Sequence, residues 1–378
     1  MQECKVCLMD ATVPSLVLNK KGQCQYCEIY YKLSDEYPLN NLTGQKLNNI
    51  VKKIKITGRG KKYDCVCGIS GGRDSSYTLY YIKEVLGLRP LAVHYDNGFN
   101  SQISTNNIYN ICSKLDIDLE TEVEDWDNFR EILRAFFYAS VPDVDIPTDL
   151  GIFKTMYKFA DKLNIKYVVN GHNFRNEGMD PLDWTYMDPL YLKNICEINN
   201  KKVNIKNFNN FYLRDLIKYK LIRRIKTFLP LNYIKLNYVE IEEKLTKDYG
   251  WKFYDEHHYE STFTKFLVGY YLPEKFKIDR RKTDLSAMIR SKQISREEAK
   301  RLIKIPPNFI NKEKTIEFVL EKLDFDNKEW KFIMNKKNFN YNSYKNYHKI
   351  LKKFKFFIYI LVKLNLIPNI LYLKFLGK

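Results

Sequence analysis

Short apolar runs alternate with amphipathic segments between about residues 60 and 195. Helical periodicity appears in Ser75–Leu86 and Ser104–Leu115, and Gly87 stands where a helix C-terminal glycine is expected. The apolar runs between these segments are candidate strands at Tyr63–Ile69, Pro90–Tyr95, Asp118–Val123 and Tyr167–Asn170. Strands that alternate with helices are typical of βαβ units. The pattern therefore predicts an α/β fold with a parallel sheet.

The chain divides into three regions that differ in composition and in sequence pattern. Residues 1–35 hold four of the eight cysteines, residues 36–200 carry the βαβ pattern, and residues 201–378 are mostly helical in pattern, with many Lys and aromatic residues. A chain of 378 residues is long enough for two or three units. We expect a small cysteine module, an α/β domain and a helical region for substrate binding or interaction.

The net charge of +18 bears on partners and location. It favours a polyanionic partner (nucleic acid, an anionic membrane surface or a phosphorylated substrate), but a Lys-rich solvated surface explains it equally well. The N-terminus lacks a basic stretch followed by an apolar one, which predicts a cytoplasmic protein. Lys363, Asn365, Pro368 and Asn369 interrupt the apolar C-terminal segment. A packed helix pair is expected there, with peripheral membrane contact as the alternative.

Two C-x-x-C pairs lie near the N-terminus. Cys4 and Cys7 form the first pair, and Cys24 and Cys27 follow after an intervening stretch of 16 residues. Each pair places two sulfurs on one tight turn, and this spacing is typical of a four-thiolate zinc site. Four thiolates leave zinc no open position, so the role is expected to be structural. The alternatives are a redox pair or unrelated cysteines.

A glycine-rich turn, S-G-G-R-D-S-S at residues 70–76, stands between a predicted strand and a predicted helix. Gly71 and Gly72 let backbone N–H groups approach an anion, and the helix N-terminus adds free donors and a positive dipole end. The turn therefore predicts a phosphate site. Asp74 would repel phosphate unless it bridges to Mg²⁺ or caps the helix. An ordinary helix N-cap is the alternative.

The string S-G-G-R-D-S resembles the PP-loop of the ATP pyrophosphatases, the fold family of GMP synthetase, asparagine synthetase and tRNA-modifying thiolases. H-Y-D-N-G-F-N at 94–100 and V-V-N-G-H-N at 168–173 are similar to that family's nucleotide-contacting turns. The resemblance implies an adenine-nucleotide α-hydrolase-like fold with helices on both faces of the sheet. It also implies cleavage of ATP to AMP and pyrophosphate.

Further strings resemble the N-acetyl sugar amidotransferases over roughly residues 1–300. They are C-x-x-C-L-M-D, G-x-C-x-Y-C, H-x-D-N-G-F-N, G-W-x-x-Y with H-Y-E-S-x-F-T-K-F (250–266), and L-P-x-K-F-x-I-D-R-R-K running on to residue 299. The resemblance implies conversion of a sugar N-acetyl group to an acetamidino group in lipopolysaccharide O-antigen or pseudaminic acid biosynthesis. ATP would adenylate the amide oxygen, ammonia would attack the carbon, and AMP would leave.

The resemblance assigns roles to residues of this chain. Asp74, His258 and Glu260 are the catalytic candidates, and Thr264 is a further candidate for sugar contact. Arg280, Arg281 and Lys282 suit the phosphate or carboxylate of an activated sugar, although surface charge is the alternative. The residues expected to hold ATP and Mg²⁺ are Ser70, Gly71, Gly72, Arg73, Asp74, Ser75, Ser76, Asp96, Asn97, Gly171 and His172.

The chain shows no glutaminase signature, because position 2 is Gln2 and no G-x-C-x-G string is present. A separate glutaminase subunit, resembling the one of histidine biosynthesis, is therefore the expected ammonia source. Two other functions stay open. One is a PP-loop tRNA-modifying enzyme, although no RNA-binding module is recognisable and nucleic acid is not the expected partner. The other is a non-catalytic zinc-containing binding protein.

Overall fold

A five-stranded parallel sheet forms the centre of the protein in a computed structural model that describes residues 3–254, 259–307, 309–364, 366–367 and 369–377. The strand order is β3-β2-β1-β4-β5, and each neighbouring pair is parallel. The strands are β1 (Cys65–Gly68), β2 (Pro90–Asp96), β3 (Leu119–Val123), β4 (Tyr167–Val169) and β5 (Lys226–Phe228). The order reverses at β1, which pairs with β2 on one side and β4 on the other.

The remaining elements are mostly helices. The α-helices are α1 (Gln25–Glu36), α2 (Asn41–Gly58), α3 (Arg73–Tyr80), α4 (Gln102–Lys114), α5 (Trp126–Ala139), α6 (Ile146–Lys162), α7 (Pro189–Asn199), α8 (Leu213–Leu216), α9 (Tyr238–Tyr249), α10 (Thr262–Phe266), α11 (Arg281–Arg290), α12 (Arg296–Leu302), α13 (Lys312–Lys322), α14 (Asn327–Asn335), α15 (His348–Lys353), α16 (Lys355–Lys363) and α17 (Asn369–Leu376). Wider π-helical turns cover Tyr81–Val85, Ile217–Ile222 and Leu267–Phe276, and 3₁₀ turns cover Pro230–Tyr233 and Tyr341–Ser343.

Both faces of the central strands β1, β2 and β4 are buried, which explains why these strands read as continuous apolar runs, whereas the edge strand β3 is mostly exposed. In β1, Cys65 and Cys67 enter the core shared with α2, α3 and α4, whereas Val66 enters the core shared with α6. Successive side chains of a strand point to opposite faces, so one short strand contributes to both layers. The predicted α/β fold with a parallel sheet and helices on both faces is confirmed.

The four predicted strands are present, three of them slightly shorter than predicted and β2 one residue longer, and a fifth strand was not predicted. β5 is only three residues long and pairs with β4 at the edge of the sheet. It comes from the region after residue 200, so that region contributes to the sheet as well as to the helical part. Gly87 has a φ of +60° just after the π-helical turn that extends α3, as its predicted terminating role requires.

A second apolar core joins the α/β domain to the C-terminal region. At its centre lies Phe137 of α5, which is fully buried. Its ring lies 4.9 Å from that of Tyr271, 5.5 Å from that of Trp330 and 5.7 Å from that of Phe325, measured between centroids. Edge-to-face aromatic pairs of this kind add to the stabilisation from burial alone. Residues far apart in the chain thus share one core.

The N-terminal cysteine module docks on α11 and α12. The backbone N–H of Leu8 donates to Ser286 Oγ at 3.2 Å, and Lys282 Nζ lies 3.0 Å from the Asp10 carboxylate. Arg296 donates to the carbonyl of Cys4 at 3.0 Å and forms an ion pair with Glu3. The first residues of the chain are therefore held by a region nearly 300 residues later.

The C-terminal segment forms the expected helix pair, α16 and α17. Leu373 and Leu376 of α17 are buried, and Leu373 packs against Phe174 and Met179. None of the residues of α16 is buried. Among the described residues, no helix combines the length and hydropathy that crossing a bilayer requires.

We predict that Phe137→Ala destabilises the protein by about 3–5 kcal/mol, because it removes a fully buried ring and leaves a cavity. Phe332→Ala, at a ring that is 58% exposed, is the control and should change the free energy of unfolding by less than about 0.5 kcal/mol. Urea denaturation of both variants measures the difference. Equal free energies for the two variants would contradict the central role of Phe137.

Candidate functional site

Three loops meet at the carboxyl edge of the sheet, around the point where the strand order reverses. Residues 69–72 follow β1, residues 97–101 follow β2, and residues 170–173 follow β4. In open α/β sheets the crevice at such a switch point is where ligands bind. The sheet therefore brings together the three turns that were predicted to hold the nucleotide.

The turn at residues 69–72, which we call the phosphate loop, has a backbone conformation at Gly71 that only glycine adopts without strain. Gly71 has a φ of +78°, and a Cβ at this position would lie 2.2 Å from the carbonyl oxygen of Ser104. The Gly71 carbonyl accepts hydrogen bonds from Trp251 Nε1 at 3.0 Å and from Asn107 Nδ2 at 3.1 Å. Contacts from α4 and from residue 251 thus hold the loop from behind.

Serine hydroxyls brace the loop from inside. Ser75 Oγ receives the backbone N–H of Ser70 at 3.2 Å, and it donates to the Gly72 carbonyl at 3.0 Å. Ser70 Oγ accepts the backbone N–H of Gly72 at 3.3 Å. Helix α3 starts directly after Gly72, so its free N–H groups and dipole face the loop. Ser76, also predicted to contact the nucleotide, is fully buried.

Arg73 and Asp74 form one network with α9. Arg73 donates to Asp74 Oδ1 at 3.0 Å and to Glu242 Oε1 at 2.9 Å, and its guanidinium stacks 3.4 Å above the Tyr238 ring. Tyr238 Oη lies 3.4 Å from Asp74 Oδ2. The Arg73 side chain is thus held on α9. Its predicted nucleotide contact, and the predicted Mg²⁺ contact of Asp74, stay predictions.

The turn after β2 is held by its own side chains. Asp96 Oδ1 accepts from the Gly98 N–H at 2.8 Å and from Asn100 Nδ2 at 2.9 Å, and Asn97 is buried and donates to Thr148 Oγ1 at 3.1 Å. His94 Nδ1 lies 2.9 Å from the Ile69 carbonyl oxygen. Burial lowers the pKa of His94, which favours a neutral ring between the two loops.

The turn after β4 packs on the first turns of α3. A Cβ at Gly171 would lie 2.8 Å from the Asp74 carbonyl oxygen and 2.9 Å from Thr78 Oγ1. His172 Nδ1 lies 2.5 Å from Glu177 Oε2. Burial opposes protonation of His172, but the adjacent Glu177 carboxylate outweighs it and raises the pKa of the imidazole. A protonated His172 would place a positive charge beside the phosphate loop.

Trp251, Tyr254 and Glu260 pack against the loop from the described stretches 251–254 and 259–264. Tyr254 Oη accepts the backbone N–H of Arg73 at 3.1 Å. Glu260 Oε1 lies only 3.0 Å from the position that a Cβ on Gly72 would occupy. Sequence reasoning had placed this segment on the substrate side and missed the loop contacts of Trp251 and Tyr254. His258, a predicted catalytic residue, lies outside the described residues.

Partly buried carboxylates cluster around Arg280. Asp145 accepts from Thr264 Oγ1 at 3.1 Å, and Asp180 accepts from Arg280 at 2.6 Å. Burial, reinforced by the negative charge of Asp145, raises the pKa of Asp149 to about 7. Lys374 of α17 faces the same group, and burial lowers its pKa although Asp180 and Asp149 oppose the shift. Sequence periodicity gave no indication of this cluster.

The three residues predicted to bind substrate, Arg280, Arg281 and Lys282, lie in two different environments. Arg280 and Arg281 line a cavity of about 420 Å³ together with Tyr259 and Phe309. Arg281 also forms an ion pair with Asp279 at 2.6 Å, whereas Lys282 binds Asp10 of the cysteine module. Substrate binding by these three residues stays a prediction. Arg280 is paired with Asp180, so each of the three basic side chains has a carboxylate partner within the chain, and only the two arginines also line the cavity.

The four N-terminal cysteines form one buried cluster whose sulfur atoms all lie within 4.8 Å of one another. The Sγ pairs Cys4–Cys27, Cys7–Cys24 and Cys24–Cys27 are separated by 3.7, 3.6 and 3.6 Å. Tetrahedral zinc with Zn–S bonds of about 2.3 Å requires sulfur separations of about 3.8 Å. Arg290 donates to the sulfurs of Cys27 and Cys7, each at 3.3 Å. The residues fit a four-thiolate metal centre.

Comparison with known proteins adds a family for the C-terminal region. Residues 260–358 match the family model described as "LPS biosynthesis protein WbpG-like, C-terminal domain". We call these residues the WbpG-like domain. The match begins at Glu260, the residue that lies against the phosphate loop.

Relatives of the chain match parts of it. The chain is 25% identical over 177 residues to the uncharacterized protein MJ1599 of Methanocaldococcus jannaschii, covering 45% of this chain and 58% of that protein. It is 34% identical over 125 residues to the tRNA-specific 2-thiouridylase MnmA of Vibrio campbellii, covering 29% of this chain and 33% of the enzyme. The chain thus spans between a third and three fifths of these relatives.

Solved structures align only loosely with the chain. The U34-tRNA thiolase NcsA from Methanococcus maripaludis aligns over 80% of this chain and 89% of its own, at 15% identity and a TM-score of 0.32. The NH3-dependent NAD synthetase from Campylobacter jejuni covers 54% of this chain and 94% of its own, at 15% identity and a TM-score of 0.27. Residues 260–358 are thus similar to the C-terminal domain of WbpG-like LPS biosynthesis proteins, and they follow a region built on a five-stranded parallel sheet.

Proposed function

We propose that the protein is an AMP-forming amidotransferase that converts the N-acetyl group of an activated sugar to an acetamidino group. One observation carries the proposal: Glu260, at the start of the WbpG-like domain, lies against Gly72 of the phosphate loop. A domain type from lipopolysaccharide biosynthesis and a nucleotide loop therefore contribute to the same site. We place the reaction in the cytoplasm, where ATP is available.

The reaction needs ATP because an amide is a poor electrophile and its oxygen is a poor leaving group. The amide oxygen attacks the α-phosphorus of ATP, and pyrophosphate leaves. Ammonia then adds to the imidate carbon, and AMP departs with the original oxygen, which leaves an amidine after loss of a proton. Positioning and neutralisation of phosphate charge would supply most of the rate enhancement.

Residues of this chain suit these tasks. The N–H groups at the start of α3 and the hydroxyls of Ser70 and Ser75 would bind the phosphates, and Mg²⁺ would balance their charge beside Asp74. Glu260 would accept a proton from the attacking ammonia. Arg280 and Arg281 would bind the phosphate of the activated sugar in the adjoining cavity.

Thiolation of tRNA is the alternative that the matches to thiouridylases favour. A cysteine that carries sulfur must be an accessible thiolate. All eight cysteines are buried, and burial raises the pKa of the thiols outside the cluster, namely Cys65, Cys67, Cys112 and Cys196. This arrangement argues for the amidotransferase. A purely non-catalytic binding protein would have no need of the braced loop.

We expect the purified chain, given Mg²⁺-ATP, ammonium and the correct nucleotide-activated N-acetyl sugar, to form AMP and a sugar lighter by the difference between O and NH. Glutamine in place of ammonium should give no product until a glutaminase subunit is added, because no glutaminase motif is present. Nucleotide chromatography and sugar mass spectrometry provide the readout. AMP formation that depends on tRNA rather than on a sugar would contradict the proposal and support tRNA modification as the function.

Gly71→Ala should reduce AMP formation by about a hundredfold or more, because the new Cβ collides with the Ser104 carbonyl and displaces the loop. Gly60→Ala is a matched control. Gly60 has a similar φ of +75°, but no atom lies within 4 Å of its Cβ position. Both variants carry the cost of a left-handed alanine, so only the loop displacement distinguishes them. Equal activity in the two variants would show that the position of the loop does not matter for AMP formation.

We further propose that the cysteine cluster binds structural Zn²⁺, and we predict that Cys7→Ser loses the metal. The free energy of unfolding should fall by about 3–5 kcal/mol, since the buried Arg290 then lacks part of its anionic partner. Cys112→Ala, at a buried cysteine outside the cluster, should retain the metal. Elemental analysis and thermal denaturation test the pair. Finding iron in the cluster, or no metal in the wild type, would refute the zinc assignment.

A further inference from the structure

Helix α16 is apolar along almost its whole length, yet none of its residues is fully buried. Between its terminal lysines it consists of seven apolar residues, Phe356–Val362. Phe356 is 71% exposed and Phe357 is 64% exposed. Most large apolar side chains of a folded protein are covered, and exposed patches of this kind mark interaction sites.

The exposed side chains form one continuous patch. Phe357, Ile360 and Leu364 recur at helical spacing and share a face of the helix. The Phe357 ring lies 6.2 Å from that of Phe356 and 6.3 Å from that of Phe354, between centroids. We define the C-terminal patch as the exposed residues Ile350, Phe354, Phe356, Phe357, Ile360 and Leu364.

The neighbouring helix α17 attaches the patch firmly to the body of the protein. Leu373 packs with Phe174 and Met179, and Asn369 donates to Glu36 Oε2 at 2.7 Å. Helix α16 contacts α17, and the Tyr359 and Tyr372 rings lie 5.6 Å apart. The patch is therefore displayed outward on an anchored support.

The charge around the patch has a single sign. Residues 330–378 contain eleven lysines and no aspartate or glutamate. Lys349, Lys352, Lys353 and Lys363 are exposed and flank the patch on both sides. Two copies of such a surface would repel each other, whereas an apolar and anionic surface would attract it. Charge complementarity thus favours a partner surface that is both apolar and anionic.

We propose that the C-terminal patch docks the protein on the anionic surface of a lipid bilayer, with α16 lying parallel to the membrane plane. The aromatic and aliphatic side chains enter the boundary between headgroups and acyl chains, and the lysine side chains reach the lipid phosphates. Long lysine stems allow this arrangement without burial of the charge. The inference is independent of the sugar chemistry proposed above.

Vesicle sedimentation with the full chain tests the proposal. Phosphatidylcholine vesicles that contain phosphatidylglycerol should bind the wild type, and vesicles of phosphatidylcholine alone should bind it far more weakly. Combining Phe356→Ser, Phe357→Ser and Ile360→Ser should weaken binding by about tenfold for each apolar side chain removed. Combining Lys352→Gln, Lys353→Gln and Lys363→Gln should weaken it by about fivefold per lysine, with a smaller salt dependence.

The matched control combines Leu42→Ser, Ile56→Ser and Ile222→Ser, three apolar residues that are 61%, 64% and 72% exposed on other elements. The control should bind like the wild type, and unchanged circular dichroism should verify folding of every variant. Equal loss in the control, or equal binding to neutral vesicles, would overturn the proposal. Absence of vesicle binding would also overturn the proposal. In that case sedimentation velocity of the patch variants would show whether the patch is needed for dimerisation, and a binding assay with a purified glutaminase subunit would show whether it is needed for that contact.

Discussion

Parallel pairing of β1 with β2 on one side and with β4 on the other is the constraint on which the candidate site depends. The register places the carboxyl ends of all three strands at one edge, where Gly68 lies beside Val93 and Cys67 lies beside Val169. The three loops that follow must then meet. Burial of both faces of β1, β2 and β4 keeps this arrangement fixed, since none of these strands can shift by one residue without moving apolar side chains to the wrong layer.

The C-terminal region is part of the same folded unit and of the same site. The Phe137 cluster joins α5 to residues of the WbpG-like domain, and Tyr254 and Glu260 reach the phosphate loop from the segment that enters this domain. In the function we propose, an active site made by two regions would allow the nucleotide loop to stay unchanged while the other region sets the substrate. The cavity lined by Arg280 and Arg281 lies on that second side.

The elements with a strong local pattern were predictable from sequence. The four predicted strands, the loop from Ser70 to Ser76 and the cysteine cluster follow from periodicity or spacing that a single segment contains. Strand β5 was missed because three residues between a π-helical turn and a 3₁₀ turn carry no period. Trp251 could not be placed against Gly71 because the two residues are separated by 180 positions.

Charge patterns were less informative than apolar ones. Arg280, Arg281 and Lys282 are consecutive in sequence, yet their partners are Asp180, Asp279 and Asp10. A string of basic residues does not reveal which direction each side chain takes from a helix N-terminus. The carboxylates around Asp149 were not predicted as a group because they come from separate segments of the chain.

If the cysteine cluster binds the metal we propose, the contact of Arg290 with the cysteine sulfurs would link metal supply to the lifetime of the protein. Four thiolates around a divalent ion carry excess negative charge, and the buried guanidinium neutralises part of it. If the metal we propose were lost and the thiolates took up protons, α11 would retain a buried cation without its counter-charge. Release of the N-terminal module would relieve that cost and expose the chain to proteases. Cells short of the metal would then clear this protein by turnover rather than accumulate an inactive form.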